Sequence, residues 1–148
     1  FGIWLAKTFV VQRPFSRYLV SEHRAIMSDQ LERTSPLNLI FRHQDEAEKE
    51  RSACGYRYRL LSRGDDGVAA WAHAVDIDGA KPHYHKRATE LYYILEGGGK
   101  VVLDGEEREV RPGCMIHIPP GVVHGAIGKM RVLVVGIPDI DDSDVFYS

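Results

Sequence analysis

Two short segments carry the residues that most restrict how this chain can fold. The first, PHYHKRATE, contains His83, His85 and Glu90, and the second, PPGVVH, ends in His124. Residues i and i+2 of a β-strand project to the same face, so the imidazoles of His83 and His85 can reach one point in space. The four residues before Glu90 leave room for a turn, and ELYYIL then has the aromatic and branched residues of the next strand. The spacing therefore predicts two strands that present two nitrogens and one oxygen on one side of a sheet.

Three imidazoles and one carboxylate are a suitable ligand set for a divalent metal ion. A single histidine on a strand is more often an ordinary surface or core residue. Four suitable residue types in this arrangement predict His83, His85, Glu90 and His124 as the ligands of one ion. Imidazole suits Fe, Ni, Cu and Zn, and the carboxylate keeps Mn possible, so the identity of the metal stays open among these five.

The two segments resemble the two short motifs of the cupins, which are small β-barrels. The first motif is matched by His83, His85, Glu90 and Gly97, and the second by Gly113, Pro119, Gly121 and His124. The resemblance implies a metal-binding barrel that acts on or binds a small molecule. It also implies a homodimer, and the apolar stretches at residues 9–11 and 37–41 are candidates for the pairing edges.

Two positions depart from the cupin pattern, and neither is a ligand. Ile77 stands where the first motif usually has a glycine, and Gly128 stands where the second usually has an asparagine. Glycine and asparagine both adopt positive φ readily, so Gly128 can keep a turn there. The neighbouring Asp78-Gly79 pair can supply the other turn.

Short strands separated by turn residues continue from Tyr56 to Ile137. The stretch Arg63-Gly64-Asp65-Asp66-Gly67 predicts a hairpin turn. A second turn is predicted at the Asp-Gly pair after GKVVL, and Gly97-Gly98-Gly99 is expected to separate the strand ELYYIL from the strand GKVVL. This pattern predicts an all-β fold, an antiparallel double-sheet jelly-roll barrel. We expect a barrel domain at residues 56–148 and an N-terminal extension at residues 1–55, irregular or partly helical, with some strand or loop.

Composition restricts the partners and the compartment. The formal charge of −2 gives no basic face for nucleic acid. The opening run FGIWLAKTFVV is too short to span a bilayer, so we expect no membrane partner. Two cysteines far apart in the sequence favour a reduced, cytoplasmic setting.

The expected function is that of a small metal-dependent enzyme. A divalent ion with free coordination positions supports a dioxygenase-type oxidation or the isomerisation of a sugar or keto acid. The alternative is a non-catalytic cupin that binds a metal or a metabolite as a sensor or a store. A general acid or base in the cavity would separate the two, and the catalytic candidates are Tyr92, on the same strand face as Glu90 and Ile94, and His117.

Other polar residues near the predicted barrel have ordinary structural interpretations. We expect His73, on the same face as Trp71 and Val75, to be a core or cavity-wall residue. Three arginines can recognise an anionic substrate or can simply be exposed, namely Arg57, Arg59 and Arg87. The acidic tail at residues 139–144 is expected to be a solvated end with no chemistry.

Overall fold

The computed structural model describes residues 39–139 and 142–148, and these form an all-β domain of antiparallel strands. The strands are β1 (Lys49–Ser52), β2 (Gly55–Leu61), β3 (Trp71–Ile77), β4 (Ala80–His85), β5 (Thr89–Leu103), β6 (Glu106–Val110), β7 (Met115–Ile118), β8 (His124–Ile137) and β9 (Val145–Tyr147). Two single 3-10 turns lie at Gln44–Glu46 and Asp142–Asp144. The predicted jelly-roll fold class is confirmed. No helix in the described ranges is long and apolar enough to cross a membrane.

Two long strands, β5 and β8, organise the sheet. They pair with each other in antiparallel register from Thr89↔Ile137 to Leu103↔His124. The first half of β5 also pairs with β7 and the second half with β6, whereas β8 pairs with β3 at its end and with β4 at its start. The beginning of β8 is therefore next to β4, and this places His124 opposite His83 in the ladder.

The three consecutive glycines lie inside β5 and do not separate two strands as the sequence analysis predicted. Pairing with β8 continues through all three, with Gly99 opposite Gly128. A Cβ atom on Gly99 would lie 2.1 Å from the carbonyl oxygen of Ile127, so only glycine lets the two backbones approach this closely. The glycines therefore let a continuous strand lie close to the backbone of β8.

The predicted turns before β3, before β4 and before β6 are confirmed. Residues 62–70 connect the antiparallel strands β2 and β3, and Asp104-Gly105, both at positive φ, connects β5 and β6. Gly79 has a φ of 114° between β3 and β4, and Gly128 has a φ of 110°. The turn at Asp78-Gly79 is thus present, whereas Gly128 lies inside β8 opposite Gly99, so its positive φ occurs within a paired strand and the expected turn there is wrong.

The core fills the space inside the curled sheet. Burial along β5 alternates, with Glu90, Tyr92 and Ile94 inside, as predicted, and with Tyr93 and Leu95 partly exposed. Apolar side chains from β3, β5, β7 and β8 complete it, among them Val75, Ile77, Val101, Ile118, Met130, Val132 and Val134. Burying such side chains is the main contribution to the stability of the barrel.

Two parts of the chain differ from the strand predictions. The last long strand, β8, is not one of the short strands that were predicted, because it begins at His124 itself and its first residues already pair with β4 and β5. The acidic tail leads into β9, which pairs with β4. The domain boundary near Tyr56 stays a prediction, and the N-terminal extension lies largely outside the described residues.

Candidate metal centre

Three neighbouring strands bring the four predicted ligands together. His83 and His85 come from β4, Glu90 from the start of β5 and His124 from the start of β8. All four are buried, with 2 to 7% of each residue exposed. Their potential ligand atoms lie within 4.8 Å of one another. We call these four residues the ligand cluster.

Each imidazole of the ligand cluster is held by its Nδ1 atom. His83 Nδ1 lies 2.7 Å from the carbonyl oxygen of Lys81, and His124 Nδ1 lies 3.0 Å from that of Val122. His85 Nδ1 lies 3.0 Å from the carbonyl oxygen of Asp144. A carbonyl oxygen can only accept a hydrogen bond, so each Nδ1 is the donor and each neutral ring has its lone pair on Nε2. Metal-binding histidines are commonly oriented in this way.

The inward-facing atoms of the ligand cluster lack hydrogen-bond partners. The Nε2 atoms of His85 and His124 and Oε2 of Glu90 are buried, and none of them has a partner in the part of the chain that the structure describes. His124 Nε2 lies 3.0 Å from Glu90 Oε2, and His85 Nε2 lies 3.3 Å from Glu90 Oε1. Nε2 of a neutral ring and a carboxylate oxygen are both acceptors, so their lone pairs face one another unless a proton or a cation lies between them. The four side chains can hold a divalent cation at that place.

The protonation states of the ligand cluster also support a metal site. Burial by itself raises the pKa of Glu90, but the contacts with His124 and His85 outweigh it and lower the pKa to about 2, so Glu90 is ionised. Burial, together with the neighbouring His124, lowers the pKa of His83 to about 4, which leaves that ring neutral. Burial opposes protonation of His85, but its contacts with Glu90 give it a raised pKa. A proton on His85 and a metal ion therefore compete for the charge of Glu90.

Comparison with known proteins agrees with this geometry. A family profile described as "Cupin domain" matches residues 76–136. An uncharacterized protein of Streptomyces coelicolor is 30% identical over 100 residues, which cover 64% of this chain and 91% of that protein. The chain belongs to the cupin superfamily. A solved structure of a protein from Planctomyces limnophilus shares the cupin fold, with a TM-score of 0.67 and 24% identity over 77% of this chain and 98% of that one.

Two further relatives match shorter segments. An uncharacterized protein of Methanocaldococcus jannaschii is 47% identical over 79 residues, which are 49% of this chain and 63% of that protein. The quercetin 2,3-dioxygenase of Bacillus subtilis is 43% identical over 42 residues, which are 28% of this chain and 12% of the enzyme. The matches thus span less than two thirds of the length of these two relatives.

Asp144 supports the ligand cluster of this cupin from outside, and the sequence analysis missed it. Its carboxylate accepts hydrogen bonds from the backbone N–H groups of Lys86, Arg87 and Ala88, at 3.3, 3.0 and 2.9 Å. Its carbonyl oxygen accepts from His85. The tail that we expected to be solvated therefore fixes the turn between the ligands of β4 and Glu90.

Cys54 and Tyr92 lie against the ligand cluster. Cys54 Sγ is 3.7 Å from His83 Nε2 and 3.5 Å from the hydroxyl oxygen of Tyr92. The ring of Tyr92 is edge-on to that of His124, with centroids 6.1 Å apart. Burial raises the pKa of Cys54 to about 12 and that of Tyr92 well above its ordinary value, so both groups keep their protons at neutral pH.

A cavity of about 110 Å³ adjoins the ligand cluster. The cluster contributes His83, His85 and Glu90 to its wall, while Trp71, His73, Val75, Arg57, Arg59 and Asp139 are among the other lining residues. The cavity-wall interpretation of His73 agrees with this position. Tyr92 is buried behind the cluster and is not among the lining residues.

The arginines of the cavity are paired with carboxylates of the same chain. Arg57 donates to both oxygens of Asp142, at 2.8 and 2.6 Å, and to Glu50 at 3.1 Å. Arg59 donates to both oxygens of Glu50 and to Asp142. We call Arg57, Arg59, Glu50 and Asp142 the charged network. Arg87 lies 3.6 Å from Asp144 and is largely exposed.

The structure does not bring His117 to the ligand cluster. On β7 the side chain of Ile118 is buried, whereas those of Met115 and His117 are exposed. His117 therefore faces away from the interior, because alternate residues of a strand point to opposite sides. The expectation that it lines the cavity does not hold.

Proposed function

We propose that this chain is a metal-dependent cupin enzyme whose ion is held by His83, His85, Glu90 and His124. The proposal is carried by one observation, the convergence of buried acceptor atoms that lack partners among the described residues. The three imidazoles are already oriented by the hydrogen bonds of their Nδ1 atoms, so they need little rearrangement to bind a metal ion. Ordering of the ligands before binding lowers the entropic cost of association.

The substrate is a small molecule bound in the cavity beside the ligand cluster. A divalent ion in such a site supplies Lewis-acid polarisation of a substrate oxygen or access to oxygen chemistry. Trp71 and Val75 give part of the cavity wall an apolar surface, which limits the access of water. The similarity of a 42-residue segment to a quercetin 2,3-dioxygenase supports a dioxygenase-type oxidation. Isomerisation and non-catalytic binding stay predictions of the sequence.

Tyr92 is proposed as a positioning residue. It lies behind the ligand cluster, and its hydroxyl group is in contact with Cys54 while its ring packs against His124. Tyr92→Phe keeps the ring and removes the hydroxyl group, so the metal content should stay at that of the wild type. A shift in the visible spectrum of the Co(II)-loaded variant is the expected result of a small change in ligand geometry, and an unchanged spectrum would contradict the role.

The enzymatic activity is tested by screening the metal-loaded protein. Oxygen uptake and product formation are measured over diols, thiols, keto acids and sugar phosphates, with Glu90→Ala as the blank. We expect turnover that depends on added Fe(II), Mn(II), Ni(II), Cu(II) or Zn(II) and disappears in the blank. Activity that survives in Glu90→Ala would not come from this site, and wild type without turnover on any of these classes would argue for a binding protein.

The oligomeric state and the compartment are expectations from the sequence. A homodimer is proposed from the family resemblance, and light scattering on the full chain tests it. A monomer at all concentrations would reject it. The cytoplasmic setting stays a prediction.

A further inference from the structure

The cavity wall also carries a buried polar atom that does not belong to the ligand cluster. His73 is 5% exposed, and its ring stacks on Trp71 with centroids 4.6 Å apart. Its Nε2 atom is buried and has no hydrogen-bond partner among residues 39–139 and 142–148. A buried ring nitrogen without a partner costs free energy, and a bound ligand can remove that cost.

Asp139 supplies a second such atom to the same cavity. Its Oδ1 is buried and, within the described part of the chain, has no partner, while its backbone N–H donates to the carbonyl oxygen of Ala69 at 3.0 Å. A carboxylate oxygen accepts hydrogen bonds from O–H and N–H groups. The group that completes Asp139 must therefore bring an O–H or N–H donor.

The positive charges of the cavity have partners already. Asp142 and Glu50 neutralise Arg57 and Arg59, so an anion would have to displace one of these carboxylates to reach a guanidinium group. Arg63, which also lines the cavity, is not free either. This pairing removes the basis for the anionic substrate that the three arginines suggested from the sequence.

His73 is suited to a neutral hydroxyl group. Burial, and then the nearby Arg57 and Arg59, lower its pKa to about 4, so the ring is uncharged at neutral pH. An uncharged imidazole has one nitrogen that donates and one that accepts, and a hydroxyl group can pair with either. A carboxylate pairs best with a charged donor, which His73 does not provide.

We propose that the cavity binds a small uncharged molecule with hydroxyl groups, which hydrogen-bonds to His73 Nε2 and Asp139 Oδ1 while its other end faces the ligand cluster. This inference rests on the proposed function and names the substrate class of the same site. A cavity of about 110 Å³ holds roughly eight water-sized groups. It therefore suits a compact diol or polyol.

The test measures two probes that differ by one group. Erythritol is a neutral tetraol, and erythronate has a carboxylate in place of one of its CH2OH groups. Dissociation constants for the zinc-loaded full chain are obtained from ligand-observed NMR titrations. They are compared between wild type, His73→Phe, which keeps a ring to stack on Trp71, and His117→Phe, which makes the same change at an exposed position.

We expect His73→Phe to weaken erythritol binding by about fivefold or more, which is the effect of one lost hydrogen bond. His117→Phe should leave it unchanged, and His73→Gln, which restores a polar group, should recover part of it. Asp139→Ala should weaken binding in the same direction, so the inference can be tested even if the His73 variants fold poorly.

Three results would overturn the inference. One is wild type that does not bind erythritol, and another is erythritol binding that changes less than about twofold in both His73→Phe and Asp139→Ala. The third is erythronate binding that weakens about fivefold in Arg57→Met, because the substrate class would then be anionic. Zinc content is measured separately on each sample, and the titrations are repeated without zinc, so a failure of metal binding is not confused with a failure of this inference.

Discussion

The ligand cluster and the charged network lie around the same cavity, but their polar atoms are paired in opposite ways. In the charged network, two arginines meet two carboxylates, and the charges cancel within the chain. In the ligand cluster, buried Nε2 and carboxylate oxygen atoms converge and have no hydrogen-bond partner among the described residues. A self-compensated group of charges needs nothing from outside, whereas a group of unpartnered acceptors is completed by a ligand. The comparison indicates that the ligand cluster, and not the charged network, is the side of the cavity suited to a cation.

The largest expected difference between the two regions is in their response to metal. Zinc at about 100 times its dissociation constant should raise the free energy of unfolding of wild type by about 2.7 kcal/mol. For a chain of 148 residues this corresponds to an increase in Tm of about 5–10 °C. Differential scanning calorimetry should show the same increase in Asp142→Asn and none in Glu90→Ala. An equal increase in Glu90→Ala would remove the distinction between the two regions.

Substitution of Asp144 should have an effect of intermediate size on stability and on zinc affinity. Asp144 connects the ligand cluster to the backbone of the turn between β4 and β5. Asp144→Ala leaves the buried N–H of Ala88 without a partner, and it should lower the free energy of unfolding by about 1–2 kcal/mol. The looser turn should also weaken zinc affinity by about tenfold or more. Urea denaturation and zinc competition with a chelator measure the two effects. Asp142→Ala is the matched control, and equal zinc affinities in the two variants would contradict the supporting role of Asp144.

The smallest change in the free energy of unfolding is expected from a substitution in the charged network. Asp142 is more than half exposed, so Asp142→Asn should change the free energy of unfolding by less than about 1 kcal/mol at pH 6, and less still in high salt. Its contacts with Arg57 lower its pKa to about 2, below the unfolded value near 3.8. The stabilisation is thus present above pH 4 and is lost as the pH falls toward 2.

Urea denaturation at several pH values tests this sign. The difference in stability between wild type and Asp142→Asn should shrink between pH 4 and pH 2. A difference that is constant over this range, or that grows at acidic pH, would show that the pair with Arg57 does not stabilise the fold.

The fold and the approach of the four ligands could be predicted because both depend on local patterns. Alternation along a strand sets the face of His83 and His85, and the same alternation places Glu90 with Tyr92 and Ile94 inside. Turn residues such as Asp104-Gly105 then mark where strands reverse. These features need only a few neighbouring residues of sequence.

The support of the ligands could not be predicted, because it depends on contacts between distant residues. Asp144 is 59 residues from His85 in the sequence, and an acidic tail is typical of a solvated end. The pairing of Arg57 with Asp142 spans 85 residues. For His117, the face of β7 that is buried depends on the pairing of β7 with β5, which is distant in the sequence.

Elemental analysis of the full chain, expressed without an affinity tag, tests the central claim most directly. We predict about one equivalent of a divalent transition metal per chain in wild type, and less than about a tenth of an equivalent in Glu90→Ala and His124→Ala. Asp142→Asn should retain the wild-type content. Wild type with less than about a tenth of an equivalent after incubation with Fe(II), Mn(II), Ni(II), Cu(II) and Zn(II), or a Glu90→Ala variant that keeps a full equivalent, would contradict the assignment of the ligand cluster.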